Sequence, residues 1–455
     1  MLLIKIALGL FGLGIVVFIH ELGHFLAARL TGIDVDAFSI GWGKPIFKKK
    51  IGKVEYRLGM FPIGGYCKMK GDSDYNNEAY EKIEKGILPE EGSYLAASPI
   101  ARILVCFGGP LFNLIFAVIL LSFLWGIGFE VNTLGNKIIL ASEITPGETY
   151  PADIAGLKTG DRIIEIAGRE TSFYHEVQEN IALNPEKELP LLVERNGEIL
   201  NLAVTPSLDK TSGAGKIGVY FWTDPVIDSV KEGSPAHRAG LLPKDTILSA
   251  NGLTLNNTMD LLRVMEQNPQ VLVLEYVRNG RPGQVQFTKD EYEEGIGLSW
   301  AAINYRTPSL SFTAAIEKGL RESWKTLTVS ITSLRLLFKG IDLTQAVSGP
   351  VRITYMIGEV AAQGFGQGLG IGMRSIAEFL ALISIALCVM NLLPLPIIDG
   401  GMIILFLVEF IRGKPAHPKA ISVFQTCGMV IIFCLITFAL FGDISYFIRM
   451  YFVRN

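Results

Sequence analysis

Two histidines and a glutamate lie within five consecutive residues near the N-terminus, in the segment His20-Glu21-Leu22-Gly23-His24. On a helix, residues four apart project from one face, so both imidazoles can bind the same metal ion. Glu21 can reach a water molecule on that ion without ligating it. The segment therefore predicts Zn²⁺ bound by His20 and His24, with Glu21 as the general acid/base of a hydrolysis.

A third zinc ligand must come from elsewhere, because catalytic zinc usually has three protein ligands and one open position. Asp399 is the best candidate, since it follows two prolines and precedes two glycines in the segment 391–401. These residues break a helix, and non-helical backbone at membrane depth is tolerated where it lines a protected cavity. Glu409 is a rival carboxylate, and the alternative for Asp399 is an ordinary helix-end residue.

Four apolar runs are long enough, or nearly so, to cross a bilayer, which takes about 20 residues. They are 2–30, 103–129, 379–398 and 422–441. The first run is too long for the apolar core of a signal peptide and no small-residue cleavage site follows it. It carries both histidines, and ionisable residues deep in a spanning helix are functional by default. This context disfavours a satisfied pair of core histidines.

Charge and cysteine usage exclude other classes of protein. A net charge of −3 gives no indication of nucleic-acid binding. The five cysteines include no CxxC pair, which argues against a disulfide-stapled module and against a structural zinc site with cysteine ligands.

Basic residues predict the orientation in the membrane. Residues 31–70 contain eight lysines and arginines against three acidic residues, and Arg412, Lys414 and Lys419 follow the third run. Both segments should face the cytoplasm. Both termini and the region of roughly 130–375 should then lie on the opposite side.

Two segments between the second and third runs resemble each other. Residues 155–164 and 239–248 share the pattern AGLxxxDxI, and an Arg-Asn-Gly sequence follows each, at 195–197 and 278–280. Such self-similarity indicates two copies of one module. The pattern resembles bacterial PDZ domains, in which an exposed strand edge accepts an extended peptide or a chain end. The alternative is a pair of structural spacers.

Three further segments predict elements around the spans. Residues 309–340 are amphipathic, which favours helices that lie along the membrane surface or clamp the core, and 341–375 are Gly-rich and too polar to span unprotected. Residues 52–69 alternate apolar and polar side chains and predict a β-hairpin with a turn at 61–66. Its edge can pair with an extended substrate beside the zinc ion; the alternative is an ordinary cytoplasmic hairpin.

Small residues in the second run favour close helix packing. Gly108, Gly109 and Pro110 lie together, and Asn113 follows them. We interpret this group as a packing surface rather than as part of the catalytic machinery.

Taken together, these motifs resemble the site-2 protease family of intramembrane zinc metalloproteases, and within it the regulator of sigma-E protease type. The resemblance covers essentially the whole chain. It rests, in chain order, on HExxH in the first run, a Gly-x-Gly segment at 41–43, the two PDZ-like modules and NxxPxPxxDG at 391–400.

The resemblance implies roles for individual residues. His20, His24 and Asp399 would bind Zn²⁺, and Glu21 would be the catalytic acid/base. Asn391 would help to hold the substrate backbone, and the other candidate substrate-binding positions are Gly41, Trp42, Gly43, Gly64 and Gly65. Two positions depart from the family pattern: Ile398 replaces a leucine, which leaves the ligand intact, and Trp42 replaces a phenylalanine, which can alter a substrate contact.

The resemblance also implies a biological setting. The substrates would be single-pass membrane proteins already trimmed on the outer face, typically an anti-sigma factor, together with remnant signal peptides. The protein would lie in the inner membrane of a bacterium, in contact with lipid, with periplasmic PDZ domains that bind peptides or new chain ends. The HExxH motif would lie near the cytoplasmic side, and no nucleic acid would be bound.

The predicted fold is an α-helical polytopic membrane protein with about four transmembrane helices, a membrane-associated β-hairpin region and two tandem α+β PDZ domains. The expected divisions are helix 1 at 1–30, the hairpin region at 31–100, helix 2 at 101–129, PDZ domains at 130–220 and 221–305, amphipathic helices at 306–375, helix 3 at 376–411, and helix 4 with the C-terminus at 412–455.

Two other classes of protein compete with this prediction. A membrane-anchored PDZ scaffold would have a structural metal or none. A metal transporter would need polar residues spread through several spans, whereas here they cluster around one site.

Overall fold

The computed structural model describes residues 2–71, 89–145, 147–210, 213–293, 295–336, 349–366 and 368–452. They form two compact units. The first, here the membrane unit, comprises the described residues of Met1–Phe129, Thr307–Phe338 and Asp342–Asn455. The second, here the repeat unit, comprises the described residues of Glu130–Arg306.

Long apolar helices dominate the membrane unit. In chain order they are α1 (Leu2–Leu30), α2 (Pro99–Ile127), α3 (Phe312–Leu336), α4 (Pro350–Gly366), α5 (Leu369–Asn391), α6 (Asp399–Arg412) and α7 (Pro418–Phe452). In the described part of the chain, four of them are long and apolar enough to cross a membrane: α1, α2, α5 and α7. The prediction of a polytopic membrane protein with about four spans is confirmed.

The third predicted span is wrong at both of its ends. The apolar helix α5 begins at Leu369 and ends at Asn391, and a separate helix, α6, begins at Asp399. Pro394 and Pro396 lie in the link, where their missing N–H groups prevent a continuous helix. The helix break expected from the prolines and the glycine pair is therefore present within 376–411, but the spanning helix begins and ends earlier than the predicted run 379–398.

Glycines bring α1 and α2 into backbone contact. A Cβ atom on Gly23 would collide with the carbonyl group of Gly108, and one on Gly108 would lie 2.6 Å from the Gly23 carbonyl oxygen. The close packing predicted for the second apolar run is observed at this crossing.

The amphipathic helix α3 packs against the core of the membrane unit. The Leu310 N–H group, just before it, donates to the Trp125 carbonyl at 3.0 Å. Farther along, Leu327 packs against a cluster that contains Ala117 and Ile385. Of the two predicted positions, a helix that clamps the core matches the structure. Residues 337–348 lie outside the described residues.

Two long strands, β1 (Val35–Ile51) and β2 (Val54–Met69), form the sheet beside α1. Residues 37–40 of β1 pair with 65–68 on one side and with 55–58 on the other. Both strands fold back where glycines have positive φ: Gly41 at +83°, Gly43 at +90° and Gly64 at +84°. The prediction of a simple hairpin within 52–69 is thus wrong, because 61–66 is a bend and β1 lies between its two arms.

The repeat unit contains two copies of one arrangement. Its ends, β3 (Glu130–Thr133) and β18 (Ile303–Arg306), pair with each other. The first copy has the strands β4 (Ile138–Leu140), β5 (Arg162–Ile166), β6 (Arg169–Glu170), β7 (Leu189–Arg195), β8 (Glu198–Val204), β9 (Ser207–Leu208), β10 (Gly215–Lys216) and β11 (Val219–Phe221), and the helices Ala141–Glu143, Pro151–Ile154 and Tyr174–Ala182.

The second copy has the strands β12 (Ile227–Val230), β13 (Thr246–Ala250), β14 (Leu253–Thr254), β15 (Val271–Arg278), β16 (Arg281–Thr288) and β17 (Leu298–Trp300), and the helices Pro235–Arg238, Thr258–Glu266 and Lys289–Glu293. The four-stranded sheets have equivalent orders, β6-β5-β7-β8 and β14-β13-β15-β16. Each copy has its own apolar core. The repeat read from the sequence is therefore a repeat of structure.

The matching Asp and Arg residues of the two sequence repeats form the same ion pair in each copy. Arg195 donates from Nε and Nη2 to the Asp161 carboxylate, each at 2.7 Å. Arg278 donates in the same way to Asp245, at 2.7 and 2.6 Å. Both aspartates are buried. Each pair ties the start of one strand to the end of its neighbour.

Candidate metal centre

The two histidines of α1 and the first residue of α6 meet at one point. The Nε2 atoms of His20 and His24 are 3.1 Å apart. The Asp399 carboxylate places Oδ2 at 3.3 Å from His20 Nε2 and Oδ1 at 3.5 Å from His24 Nε2. One ligand atom from each residue lies within 4.8 Å of the other two.

The geometry of these three residues fits a zinc ion. Tetrahedral zinc with bonds of about 2.0–2.1 Å to nitrogen and oxygen holds neighbouring ligand atoms about 3.3 Å apart. The separations of 3.1, 3.3 and 3.5 Å span that value. Asp399 Oδ2 is buried and has no hydrogen-bond partner among the described residues, as expected for an atom that faces a cation. Two imidazoles and one carboxylate form a typical donor set for catalytic zinc.

Backbone irregularity explains how a residue so distant in sequence reaches the histidines. Ile397 has a φ of +80° just before α6, which turns the chain after the prolines. A Cβ atom on Gly400 or Gly401 would collide with carbonyl groups of the link that precedes the helix. The glycine pair therefore allows the link to fold back onto the first turn of α6, which positions Asp399.

The side chain of Glu21, a residue of α1, faces the second strand of the sheet. A Cβ atom on Gly65 of β2 would lie 3.0 Å from Glu21 Cγ. The backbone N–H group of Cys67 donates to the Glu21 carboxylate, which also interacts electrostatically with His24 and Asp399. The predicted acid/base is therefore held beside the cluster by β2, a contact that the sequence did not specify.

The chain matches known proteins over almost all of its length. The sequence model of the family described as Peptidase family M50 matches residues 8–435 of this chain. This chain belongs to peptidase family M50. That family comprises the site-2 proteases, as the resemblance of the motifs implied.

Individual relatives of this M50 peptidase agree. A protein of Treponema pallidum (strain Nichols) named "Putative zinc metalloprotease" is 34% identical over 448 residues, which cover 98% of this chain and 99% of that protein. "Regulator of sigma E protease" of Haemophilus influenzae is 30% identical over 454 residues, covering 95% and 96%. A "Putative zinc metalloprotease" of Borreliella burgdorferi is also 30% identical, over 438 residues. The chain is a zinc metalloprotease of the membrane.

The other predicted site residues of this M50 peptidase lie at different distances from the cluster. Asn391, the last residue of α5, places Nδ2 at 3.5 Å from His20 Nε2. Gly65 borders Glu21. The described contacts of Gly41, Trp42, Gly43 and Gly64 are instead within the bend of the sheet, where the Trp42 indole lies against Gly64 and is 60% exposed.

Glu409, the rival carboxylate, lies apart from the metal cluster. Its Oε2 forms an ion pair with Arg102 at 2.9 Å, and its Oε1 accepts from the Ala416 N–H at 2.8 Å. The Glu409 side chain is only 2% exposed. Glu409 thus links α6 to the first turn of α2 and is not a third ligand.

Two residues of α2 contact the imidazoles of this M50 peptidase. From the sequence, both had been interpreted as part of a helix-packing surface. A Cβ atom on Gly109 would lie 2.5 Å from His24 Nε2 and 2.6 Å from His20 Cε1. Asn113 places Nδ2 at 3.4 Å from His20 Nδ1. The available signal was the helical spacing of four between a glycine and a polar residue in an apolar run.

Proposed function

We propose that this M50 peptidase cleaves single-pass membrane proteins inside the bilayer, after a first cut on the outer face, with anti-sigma factors as the typical substrate and remnant signal peptides as a second. The observation that carries the proposal is the cluster of His20, His24 and Asp399, built on one spanning helix and on the helix that follows another. A peptidase with its cluster on such helices acts on membrane-embedded chains.

The residues of the cluster have distinct roles in this proposal. His20, His24 and Asp399 bind Zn²⁺, which supplies Lewis acidity and lowers the pKa of water when bound. Glu21 accepts a proton from the attacking water and delivers it to the leaving amine. The amide of Asn391, beside His20, orients the substrate backbone.

The sheet next to Glu21 offers a site for the substrate. Residues 65–69 of β2 form an outer edge of the sheet, and among the described residues no further strand pairs with this edge. A substrate helix must unwind to expose its carbonyl groups, and an extended segment can add to such an edge by β-augmentation. Because Gly65 and Cys67 contact Glu21, a segment bound there would lie beside the general base.

The repeat unit is the proposed PDZ pair, on the periplasmic side of a bacterial inner membrane. Its support is the shared sequence pattern, the equivalent strand orders and the basic residues of 31–70, which favour a cytoplasmic position for that segment. On that side of the membrane, the PDZ pair can bind the trimmed outer ends of substrates.

A single comparison tests the activity. Purified wild type and Glu21→Gln are each given a single-span substrate in detergent, and the bound zinc is measured in both. Cleavage should be lost in Glu21→Gln with zinc retained, and Asp399→Ala should lose both. Glu378→Gln, a glutamate of α5 that pairs with Arg374, is the matched control and should cleave normally. Cleavage by Glu21→Gln at the wild-type rate would contradict the mechanism. If the protein were a scaffold or a transporter, neither wild type nor any variant would cleave the substrate.

A further inference from the structure

Each metal-binding histidine has a second ring nitrogen whose partner determines the position of the imidazole proton. His24 Nδ1 lies 2.8 Å from the carbonyl oxygen of Val105. A carbonyl oxygen only accepts, so His24 Nδ1 carries the proton. Its Nε2 then presents a lone pair to the cluster, as zinc requires.

His20 faces a different partner on the same helix, α2. Its Nδ1 lies 3.4 Å from the side-chain amide of Asn113, which is fully buried. The amide presents Nδ2, a donor, to the ring, and Oδ1 is buried without a hydrogen-bond partner in the part of the chain that the structure describes. If a donor faces Nδ1, the ring proton must be on Nε2. There it would point at Asp399 and His24, and Nε2 would have no lone pair with which to bind zinc.

Rotation of the Asn113 amide by half a turn gives Oδ1 a partner and removes the conflict over the ring proton, and it places Nδ2 where Oδ1 was. The oxygen and nitrogen ends of a side-chain amide have nearly the same shape, so this rotation leaves the packing unchanged. After the rotation, Oδ1 faces His20 Nδ1 and accepts its proton in a hydrogen bond, so Nε2 is free to bind a metal. Both histidines then have the same tautomer, each fixed by an acceptor on α2.

We propose that Asn113 is a positioning residue of the zinc centre, which accepts a hydrogen bond from His20 Nδ1 and holds this imidazole in the ligating tautomer. The inference rests on the proposed zinc site. Packing also supports it, because Ser384 of α5 donates to the Asn113 backbone carbonyl at 3.0 Å and both residues are fully buried. The amide therefore sits at a fixed place beside the ring.

Zinc affinity tests the proposal, with the full-length protein in detergent and a competing zinc chelator. Loss of an outer-shell partner typically weakens metal binding 10–100-fold, and we expect that loss for Asn113→Leu, which has a similar volume and no acceptor. Asn113→Asp keeps an acceptor oxygen and should bind zinc close to wild type. Ser384→Ala removes a bond to the same residue without touching the side-chain amide and should leave affinity unchanged.

Wild-type affinity in Asn113→Leu would overturn the proposal, as would equal losses in the Leu and Asp variants. If wild type itself binds no zinc, or Asp399→Ala binds it equally well, the proposed zinc site fails instead.

Discussion

At the scale of single residues, the site depends on a missing side chain as much as on the ligands. Gly109 is the point at which α2 touches both imidazoles. Gly126, on the same helix, has space for a methyl group, since among the described residues its Cβ would meet only Ala315 Cβ, at 3.8 Å. The two glycines therefore form a matched pair, one at the metal cluster and one away from it.

We expect Gly109→Ala to displace one or both imidazoles. Its Cβ would lie 2.5 Å from His24 Nε2, much closer than van der Waals contact allows. Zinc affinity should fall at least 10-fold and cleavage with it, by analogy with the loss of supporting groups around other metal sites. Chelator competition on Gly109→Ala and Gly126→Ala measures this, and equal affinities in the two variants would contradict it.

Local spacing was enough to predict part of the site. His20 and His24 follow from helical periodicity alone, and Asp399 from a carboxylate among helix-breaking residues. The contacts of Gly109, Asn113 and Cys67 could not be predicted in this way, because each depends on how separate elements pack. The spacing of Gly109 and Asn113 left a periodic signal, but that signal fits helix packing equally well.

At the scale of elements, the sheet is where sequence and structure differ most. Alternation correctly predicted extended chain in 54–60, but it carries no information on which strand pairs with which. The glycines at 41, 43 and 64 fold both strands back, so that 65–69 become an edge beside Glu21. The third span differs in its ends alone, since α5 begins and ends earlier than the predicted run.

The edge of β2 predicts the effect of proline. The Cys67 N–H donates to Glu21, so it points away from β1. Alternate residues of a strand point their N–H groups the same way, so those of Gly65 and Met69 also point away from β1. Met69→Pro should reduce turnover without reducing zinc content. Lys48 lies on the opposite edge of the sheet, where it pairs with Arg57, and Lys48→Pro is the control. Normal turnover in Met69→Pro would exclude β-augmentation at this edge.

The Asp–Arg pairs of the repeat unit predict a dependence of stability on pH. Burial acts to raise the pKa of Asp245, but the hydrogen bonds from Arg278 and from the Leu242 N–H outweigh it and lower that pKa below its usual value. The unfolded chain therefore takes up a proton at a higher pH than the folded one. The contribution of the Asp245–Arg278 pair to the free energy of unfolding is complete above the Asp pKa of the unfolded chain, about 3.9. It is lost as the pH falls through the lower pKa of Asp245 in the folded protein.

Urea denaturation of the isolated fragment 130–306 measures this contribution. The free energy of unfolding should decrease below about pH 4. Arg278→Met should cost about 2 kcal/mol at neutral pH, as for a hydrogen-bonded charge pair that is partly exposed, and should flatten the pH dependence. An unchanged pH profile in this variant would show that other groups govern acid unfolding. Arg195→Met makes the equivalent change in the first copy.

At the scale of the whole molecule, the repeat unit is an insertion between two neighbouring points of the membrane unit. The Thr307 N–H donates to the Phe129 carbonyl at 2.8 Å, and the Phe129 N–H donates to Thr307 Oγ1 at 2.8 Å. The chain thus leaves the membrane unit and returns to it at residues that are hydrogen-bonded to each other. The sequence predicted the insertion from composition and repeats, but not that its ends meet.

Because its ends meet, the repeat unit should be removable without unfolding the membrane unit. Replacement of 130–306 by a short glycine linker leaves the Phe129–Thr307 bonds possible and removes no residue of the metal cluster. We expect the shortened protein to bind zinc with wild-type affinity and to cleave a pre-trimmed single-span substrate in detergent.

Comparison with an untrimmed substrate then separates two roles of the proposed PDZ pair. Cleavage of the untrimmed chain by the shortened protein alone indicates a size filter, whereas loss of cleavage of the trimmed chain indicates a docking site. Loss of zinc from the shortened protein would show that the two units do not fold independently.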